Sequence, residues 1–247
     1  MCVPVDRMNS ARSRLAFSDW PAAVYAIGDV HGCLSQLLAL ERQIMNDGRR
    51  IPGEKWIVTL GDYVDRGPNS AGVLAHLLEP LPENWERFSL VGNHEQMLLD
   101  FVAEPWPNAY WLEEGGIETL RSYGVEATPE LLDNGGAREA IPQQHLDLLR
   151  ELPISLSLPG WLFVHAGIRP GISLEDQREE DMIFIRDPFL EATEVGPDRV
   201  VHGHTPGREP VVTPTRIGID THCFWSGRLT AVRVLPTGET KFLTASG

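Results

Sequence analysis

The sequence predicts an α/β fold, a layered sandwich of mixed β-sheet flanked by helices. Short apolar runs that end in glycine or a polar residue alternate with segments whose apolar residues recur at helical spacing, which is typical of layered α/β folds. The first four runs are almost continuously apolar, as expected of strands that are covered on both faces. From Val200 onward the chain is rich in strand-forming residues, so we expect the sheet to be mixed.

The predicted strands begin and end at recognisable breaks in the apolar pattern. They are Ala23–Gly28, Trp56–Gly61, Phe88–Gly92, Trp161–His165, Val200–Gly203, Arg216–Asp220 and Leu229–Val234. Helical patterns lie between the first of these strands, and each stops at a residue that disfavours a helix. The first pattern stops at Gly48, the second before Pro80 and the third before Pro105.

The segment 103–159 interrupts this alternation. It contains Pro105, Pro107, Pro129 and two glycine pairs, with helical stretches such as Gln143–Leu152 between them. We interpret it as a mostly helical insertion at one edge of the sheet, within a single domain that spans residues 1–247. A chain of this length buries about 70% of its unfolded surface, so it can form a core without disulfides.

Composition and charge exclude several classes of protein. The 21 basic and 35 acidic residues give a formal net charge of −14, which disfavours binding to nucleic acid or to an anionic membrane. No apolar run is long enough to span a bilayer, and Met1–Trp20 lacks the apolar stretch of a secretory signal. The three cysteines have unrelated spacings, so we expect a cytoplasmic location. The sequence leaves the oligomeric state open.

Polar side chains follow five of the predicted strands, at the point where each strand ends. They are Asp29, His31, Asp62, Asn93, His165 and His204. Open α/β sheets bind ligands beyond the carboxyl ends of their strands, so we expect these side chains to converge. Taken singly, each could instead form a turn or a cap after its strand. Six such groups at five strand ends favour a common site.

The donor atoms of this set indicate transition metals. Nitrogen and oxygen ligands without a thiolate suit Mn²⁺, Fe²⁺/Fe³⁺, Zn²⁺ or Co²⁺ better than Mg²⁺ or Ca²⁺, which prefer oxygen alone. Six ligand residues exceed the needs of one four-coordinate ion. Two ions about 3.5–4 Å apart, bridged by one carboxylate, account for all six ligand residues and make a hydrolytic site.

Four ordered motifs and a final dipeptide carry a resemblance to a known family. The strings GDVHG, GDYVDRG, GNHE and HAG, with a final GH, span Gly28 to His204. This pattern resembles the calcineurin-like metallophosphoesterases, within their phosphoprotein phosphatase branch. The resemblance implies an α/β sandwich with a dinuclear metal centre at the sheet edge, and two divalent or mixed-valence ions, with manganese favoured.

The resemblance also implies a role for each matching residue. Asp29 and His31 would bind the first ion, and Asp62 would bridge both. The second ion would be held by Asn93, His165 and His204. His94 would be the general acid, oriented by Asp65, while Arg66 contacts the phosphate. A second phosphate arginine is expected at Arg186, with Arg169 as the alternative.

The implied reaction is hydrolysis of a phosphate ester. A hydroxide that bridges the two ions would attack phosphorus in line, and His94 would protonate the leaving oxygen. The positive charge of the ions and Arg66 would attract phosphate locally despite the overall charge of −14, because more distant charges are screened over about 8 Å.

The substrate is less sharply predicted than the reaction. GNHE and the string from Trp111 to Leu120 resemble bacterial serine/threonine protein phosphatases, although Glu114 stands where those proteins carry asparagine. The alternatives are a dinucleoside polyphosphate (diadenosine tetraphosphate) hydrolase and, more remotely, an inactive binding scaffold. The substrate would be a phosphorylated protein or a small phosphate ester, with His222 and Trp225 as residues that could line its site.

Overall fold

Two β-sheets form the centre of the molecule. The structure is a computed structural model that describes residues 11–128, 136–196 and 198–247. The strands within those ranges are, in chain order, β1 (Arg14–Ala16), β2 (Ala23–Ile27), β3 (Lys55–Thr59), β4 (Trp85–Ser89), β5 (Ser155–Leu158), β6 (Trp161–Val164), β7 (Arg199–His202), β8 (Val211–Val212), β9 (Arg216–Gly218), β10 (Arg228–Val234) and β11 (Thr240–Ser246).

Each sheet mixes parallel and antiparallel pairs. One has five strands in the order β11-β10-β2-β3-β4, and the other has six in the order β1-β5-β6-β7-β9-β8. Strands β2, β3 and β4 are parallel neighbours, as are β6 and β7. Strand β10 pairs antiparallel with both β2 and β11. The predicted mixed sandwich is therefore confirmed.

Helices are formed where the apolar residues recur at helical spacing. Those in the described ranges are α1 (Leu34–Gly48), α2 (Ser70–Leu77), α3 (Asn93–Ala103), α4 (Ile117–Ser122), α5 (Gly136–Ala140), α6 (Gln143–Glu151), α7 (Glu179–Phe184) and α8 (Cys223–Ser226). A π-helical turn (Leu112–Gly116) precedes α4, and a 3₁₀ turn (Leu174–Asp176) precedes α7. The Asn69 side chain caps α2 by accepting a hydrogen bond from the Gly72 N–H at 2.9 Å.

The core has two layers because side chains alternate along each strand. Tyr25 and Ile27 of β2 pack with α1 on one face, whereas Val24 and Ala26 face the layer between the two sheets. That inner layer also contains Phe163 of β6. Both faces of β2 are thus buried, as its continuous apolar run predicts. No helix in the described part of the chain is long and apolar enough to cross a membrane.

Two expectations differ from the structure. The third predicted strand, Phe88–Gly92, lies three residues earlier at Trp85–Ser89, and it is only partly buried because β4 is the edge strand of its sheet. The segment 103–159 is helical only as far as Glu151, since Ser155–Leu158 is a strand paired with β1 and β6. Residues 129–135 of that segment lie outside the described residues.

Candidate active site

The loops that follow the parallel strands meet at one end of the sandwich, and their backbone is unusual. Several residues have a positive φ: His31 (42°), Asp62 (52°), Asp65 (72°), Arg66 (68°) and His204 (60°). Such left-handed conformations cost non-glycine residues about 1–2 kcal/mol each, so surrounding contacts must hold them. One such contact joins two of the loops, since the Asp62 carbonyl accepts hydrogen bonds from Val30 N (3.0 Å) and His31 N (2.8 Å).

Asp62 lies at the centre of the imidazoles. Its carboxylate oxygens are 3.3 Å from His165 Nε2, 3.5 Å from His31 Nε2 and 3.9 Å from His94 Nε2. Two groups of potential ligand atoms share this carboxylate, namely His31, Asp62 and His94, and Asp62, His165 and His204, with each group's atoms within 4.8 Å of one another. The arrangement gives one buried carboxylate access to two neighbouring cation positions.

The remaining predicted ligands lie in the same place. Asn93 Oδ1 is 2.9 Å from His165 Nε2 and 3.0 Å from His204 Nδ1. Both carboxylate oxygens of Asp29 accept from the His204 backbone N–H, at 3.2 and 3.0 Å. The structure therefore brings together all six residues that follow the strands, although they are separated by up to 175 positions.

The ring nitrogens of two histidines are oriented by backbone carbonyls. His31 Nδ1 lies 2.8 Å from the Val64 carbonyl, and His165 Nδ1 lies 2.8 Å from the Leu60 carbonyl. Each Nδ1–H donates to its carbonyl, so Nε2 presents a lone pair towards Asp62. Fixing the tautomer through the other ring nitrogen is the usual way in which proteins orient a metal-binding histidine.

The electrostatics of this cluster fit a cation. Burial lowers the pKa of His31 and of His204 to about 3, and it lowers the pKa of His165 as well, so these rings are neutral. Burial, with the nearby carboxylates of Asp220 and Asp62, raises the pKa of Asp29 well above its usual range. In the described residues, buried His204 Nε2 has no hydrogen-bond partner. Neutral imidazoles, crowded carboxylates and an orphaned nitrogen suit metal coordination.

Asp62 differs from Asp29 because the imidazoles surround it. Burial opposes ionisation of its carboxyl group, but the imidazoles of His165, His94, His31 and His204 outweigh burial and hold the pKa of Asp62 below the ordinary value, because a proton in this cluster is held by an imidazole such as His94 rather than by Asp62. Asp62 is therefore ionised over the physiological range, which is the state that a bridging ligand requires.

His94 and Asp65 form a buried pair beside the cluster. His94 Nδ1 lies 2.7 Å from Asp65 Oδ2, and both side chains are at most 1% exposed. Burial opposes protonation of His94, but Asp62 and the hydrogen bond to Asp65 outweigh it and raise the pKa of the imidazole. His94 Nε2 points to the same cleft as Asp62.

A cavity of about 550 Å³ opens over the cluster. Its lining residues are Asp62, Arg66, Asn93, His94, Met97, Tyr110, Glu114, Phe184, Arg186, His204, Pro206, His222 and Phe224. The guanidinium of Arg66 lies 5.2 Å from the Phe224 ring centre and 3.0 Å from His31 Nε2. Two arginines thus bring positive charge to a cleft whose floor is the imidazole and carboxylate cluster.

The structure shows which of the candidate phosphate-binding and substrate-lining residues lie at this cavity. Arg186 lines this cavity, whereas Arg169 is held outside it by Asp181, with Arg169 Nη2 2.6 Å from the carboxylate. His222 lines the cavity as well as a neighbouring one. Trp225, which is 81% exposed, lines only the neighbouring one.

Two buried carboxylates of the site carry roles that the sequence motifs alone do not reveal. Glu95 accepts hydrogen bonds from the N–H groups of Asp62, Tyr63, Val64 and Gly92. Asp220 follows β9 and is close enough to raise the pKa of Asp29. The rule that found the other residues, a polar side chain just after an apolar strand, would also have found Asp220.

Comparison with known proteins agrees with this geometry. The calcineurin-like phosphoesterase family matches residues 22–222. The chain is 30% identical over 227 residues to the asymmetrical bis(5'-nucleosyl)-tetraphosphatase PrpE of Oceanobacillus iheyensis, covering 84% of this chain and 86% of that protein. It is also 30% identical over 230 residues to serine/threonine-protein phosphatase 1 of Salmonella typhimurium, covering 90% and 95% of the two chains.

Solved structures show the same fold. A crystal structure provisionally assigned as a diadenosine tetraphosphatase superposes with a TM-score of 0.66 at 24% identity, covering 95% of this chain and 99% of its own. A protein serine/threonine phosphatase from Saccharomyces cerevisiae superposes with a TM-score of 0.57 at 17% identity, covering 96% and 84%. The protein therefore belongs to the calcineurin-like phosphoesterase family and is a metal-dependent phosphoric ester hydrolase.

Proposed function

We propose that the protein is a phosphomonoesterase of the serine/threonine protein phosphatase type. The observation that carries this proposal is the buried His94–Asp65 pair, whose 2.7 Å hydrogen bond orients an imidazole at the cleft. A serine or threonine alkoxide is a poor leaving group and needs a proton in the transition state, which a positioned histidine supplies. A nucleotide leaving group is already a stable anion and needs no such donor.

We propose the metal ligands that the family resemblance implies, and the convergence of their side chains around Asp62 supports this proposal. Asp29 and His31 would hold one ion, Asp62 would bridge, and the second ion would be held by Asn93, His165 and His204. Mixed nitrogen and oxygen donors favour transition metals, and we propose manganese as the working metal. When bound, two such ions would lower the pKa of water and neutralise charge on the phosphoryl oxygens.

The residues around the ions have separate tasks in this scheme. Arg66 and Arg186 face the cleft and would bind phosphate oxygens, Arg66 after leaving its contact with His31 Nε2. His94 would give a proton from Nε2 to the leaving oxygen while Asp65 holds Nδ1. Binding, orientation and proton transfer are thus divided among side chains that converge on one cavity.

The proposal includes a cellular location and a class of substrate. Both cysteines in the described residues, Cys33 and Cys223, are buried and unbridged, which supports a reducing cytoplasmic location. The net charge of −14 favours a phosphoprotein or a small phosphate ester over nucleic acid as the substrate.

A second candidate is a dinucleoside tetraphosphate hydrolase. It is favoured by two exposed aromatic side chains at the cleft, Tyr110 (50% exposed) and Phe184 (42% exposed), on which a nucleobase could stack. The experiment is direct competition between a phosphoserine peptide and diadenosine tetraphosphate, with manganese present. A higher kcat/KM for the peptide supports the first proposal, and a higher value for the dinucleotide would replace it with the second.

The role of His94 has its own test. His94→Asn should keep both metals and should lose about 10²–10⁴-fold in rate on the phosphoserine peptide. On p-nitrophenyl phosphate, whose leaving group needs little protonation, the loss should be much smaller. Equal losses on both substrates would show that His94 is not the proton donor.

A further inference from the structure

The carboxylate of Asp65 has three side-chain donors, and two of them come from the segment 103–159. Asp65 Oδ2 accepts from His94 Nδ1 at 2.7 Å and from Trp111 Nε1 at 2.8 Å, while Oδ1 accepts from Thr119 Oγ1 at 2.7 Å. Asp65, Trp111 and Thr119 are all fully buried. Trp111 and Thr119 therefore contact the partner of the proposed acid without reaching the cleft themselves.

Thr119 contacts Asp65 through the backbone as well. Its Oγ1 lies 2.8 Å from the Asp65 N–H and 3.0 Å from Ser70 Oγ, which itself accepts from the Asp65 N–H at 3.1 Å. A hydroxyl group has one proton and two lone pairs, so Thr119 can donate to the Asp65 carboxylate and still accept from the backbone. A valine at this position has the same shape and can do neither.

The same segment holds the backbone of the loop. Asp65 and Arg66 have φ values of 72° and 68°, and the Arg66 N–H donates to the Gly115 carbonyl at 3.2 Å. Gly115 has a φ of 108°, and a Cβ placed on it would lie 2.5 Å from Arg66 N. The strained Asp65–Arg66 turn is thus enclosed by residues 111–119, which approach too closely for any side chain at position 115.

We infer that Trp111 and Thr119 are positioning residues for the reaction: they orient the Asp65 carboxylate, and through it the His94 imidazole, towards the leaving group. This inference rests on the proposed role of His94 as proton donor. It assigns a function to the segment 103–159, because Trp111 and Thr119 belong to that segment and donate hydrogen bonds to Asp65 from 46 and 54 positions away.

A purely structural role for Trp111 makes a different prediction. The indole packs on Phe101 with ring centres 4.6 Å apart, so Trp111 also contributes to the core. Trp111→Phe keeps an aromatic ring in that position and removes the N–H donor. If Trp111 acts only by packing, any loss of rate should be the same for every substrate. If it acts through Asp65 and His94, the loss should depend on the leaving group.

The experiment measures the rates of the variants on two substrates, both in the parent protein and in the His94→Asn protein. Trp111→Phe and Thr119→Val should each lower kcat on a phosphoserine peptide by about tenfold, with KM and bound metal unchanged, because outer-shell partners are worth about 10–100-fold. On p-nitrophenyl phosphate the loss should be under about threefold. Thr119→Ser restores the hydroxyl and should restore the rate. Trp106→Phe, at an exposed tryptophan of the same segment, is the matched control.

Measurements in the His94→Asn protein distinguish a failure of the positioning role from a failure of the proposed role of His94. There, Trp111→Phe should cause no further loss on the peptide, because its target is already absent. Two results would overturn the positioning role while leaving the proposed function intact. One is an equal loss of rate on both substrates in Trp111→Phe. The other is that Trp111→Phe lowers the rate on the peptide as much in the His94→Asn protein as in the parent. If His94→Asn itself affects both substrates equally, the proposed role of His94 as proton donor fails and the positioning role fails with it. Should Trp111→Phe not fold, the Thr119→Val and Thr119→Ser pair decides alone.

Discussion

Glu95→Gln should destabilise the protein and release its metals together, because one buried carboxylate holds the loop that carries Asp62. Glu95 Oε2 accepts from the N–H groups of Asp62 and Gly92, both at 2.8 Å, and Oε1 accepts from Tyr63 N at 2.7 Å and Val64 N at 3.3 Å. The side chain is fully buried, so water cannot replace any of these bonds.

The magnitude follows from the chemistry of the amide. Glutamine has one acceptor oxygen, so in either orientation its NH₂ group faces two of the four backbone N–H donors. Each buried donor left without an acceptor costs about 1–3 kcal/mol, which gives a loss of about 2–6 kcal/mol. Native proteins of this kind are stable by only about 5–15 kcal/mol. The substitution should therefore remove a large share of the total stability.

Urea denaturation followed by tryptophan fluorescence measures the loss of unfolding free energy. Metal analysis of the folded protein measures the release of metals. Glu83→Gln is the matched control, because Glu83 is exposed and its substitution should change stability by less than about 0.5 kcal/mol. If Glu95→Gln unfolds at the same urea concentration as the parent and retains both metals, the Glu95 carboxylate does not hold the loop, and the reasoning fails.

Three further predictions test other parts of the molecule. Asp62→Asn should lose metal and activity together, since both ligand groups share this carboxylate; two metals per chain with near-normal turnover would refute the bridging role. Glu114→Gln should lower KM for aryl phosphates by about two- to fivefold, because the carboxylate lies 3.8 Å from Arg66 and competes with phosphate; an unchanged KM contradicts this. The hydrogen bond to Glu41 raises the pKa of His76, so its stabilising contribution is complete below about pH 6.5 and is lost as the pH rises through the raised value. Stability between pH 6 and pH 9 should fall less in His76→Asn than in the parent, and equal falls would contradict the assignment.

Local sequence was sufficient to locate the candidate metal ligands. Asp29, Asp62 and Asn93 each come just after a strand, and an apolar run that ends in glycine and a polar residue can be recognised without knowing the fold. Because β2, β3 and β4 are parallel neighbours, their carboxyl ends lie at the same edge. Asp220 shows that the same rule has a further member, since it follows β9 and influences Asp29.

The sequence favoured Arg186 over Arg169 as the second phosphate arginine, but local chemistry gave no physical reason to separate the two. Arg169 and Arg186 have the same chemistry, and both lie in the region after β6. Their difference is a contact: Arg169 pairs with Asp181, whereas Arg186 lines the cleft together with Asp62. Similarly, the edge position of β4 depends on which strands pair, and this explains why its partial burial was not predicted.

By itself, the sequence determined the layered α/β class, the residues that follow the strands and the hydrolytic chemistry of their donor atoms, because each of these depends on short runs of neighbouring residues. Only the tertiary structure decided which distant groups act on them. Trp111 and Thr119 reach Asp65 across 46 and 54 positions, and Glu95 reaches back 33 positions to the Asp62 N–H. Such hydrogen bonds depend on distances of about 3 Å between chain segments, and those distances are set by how the whole core packs.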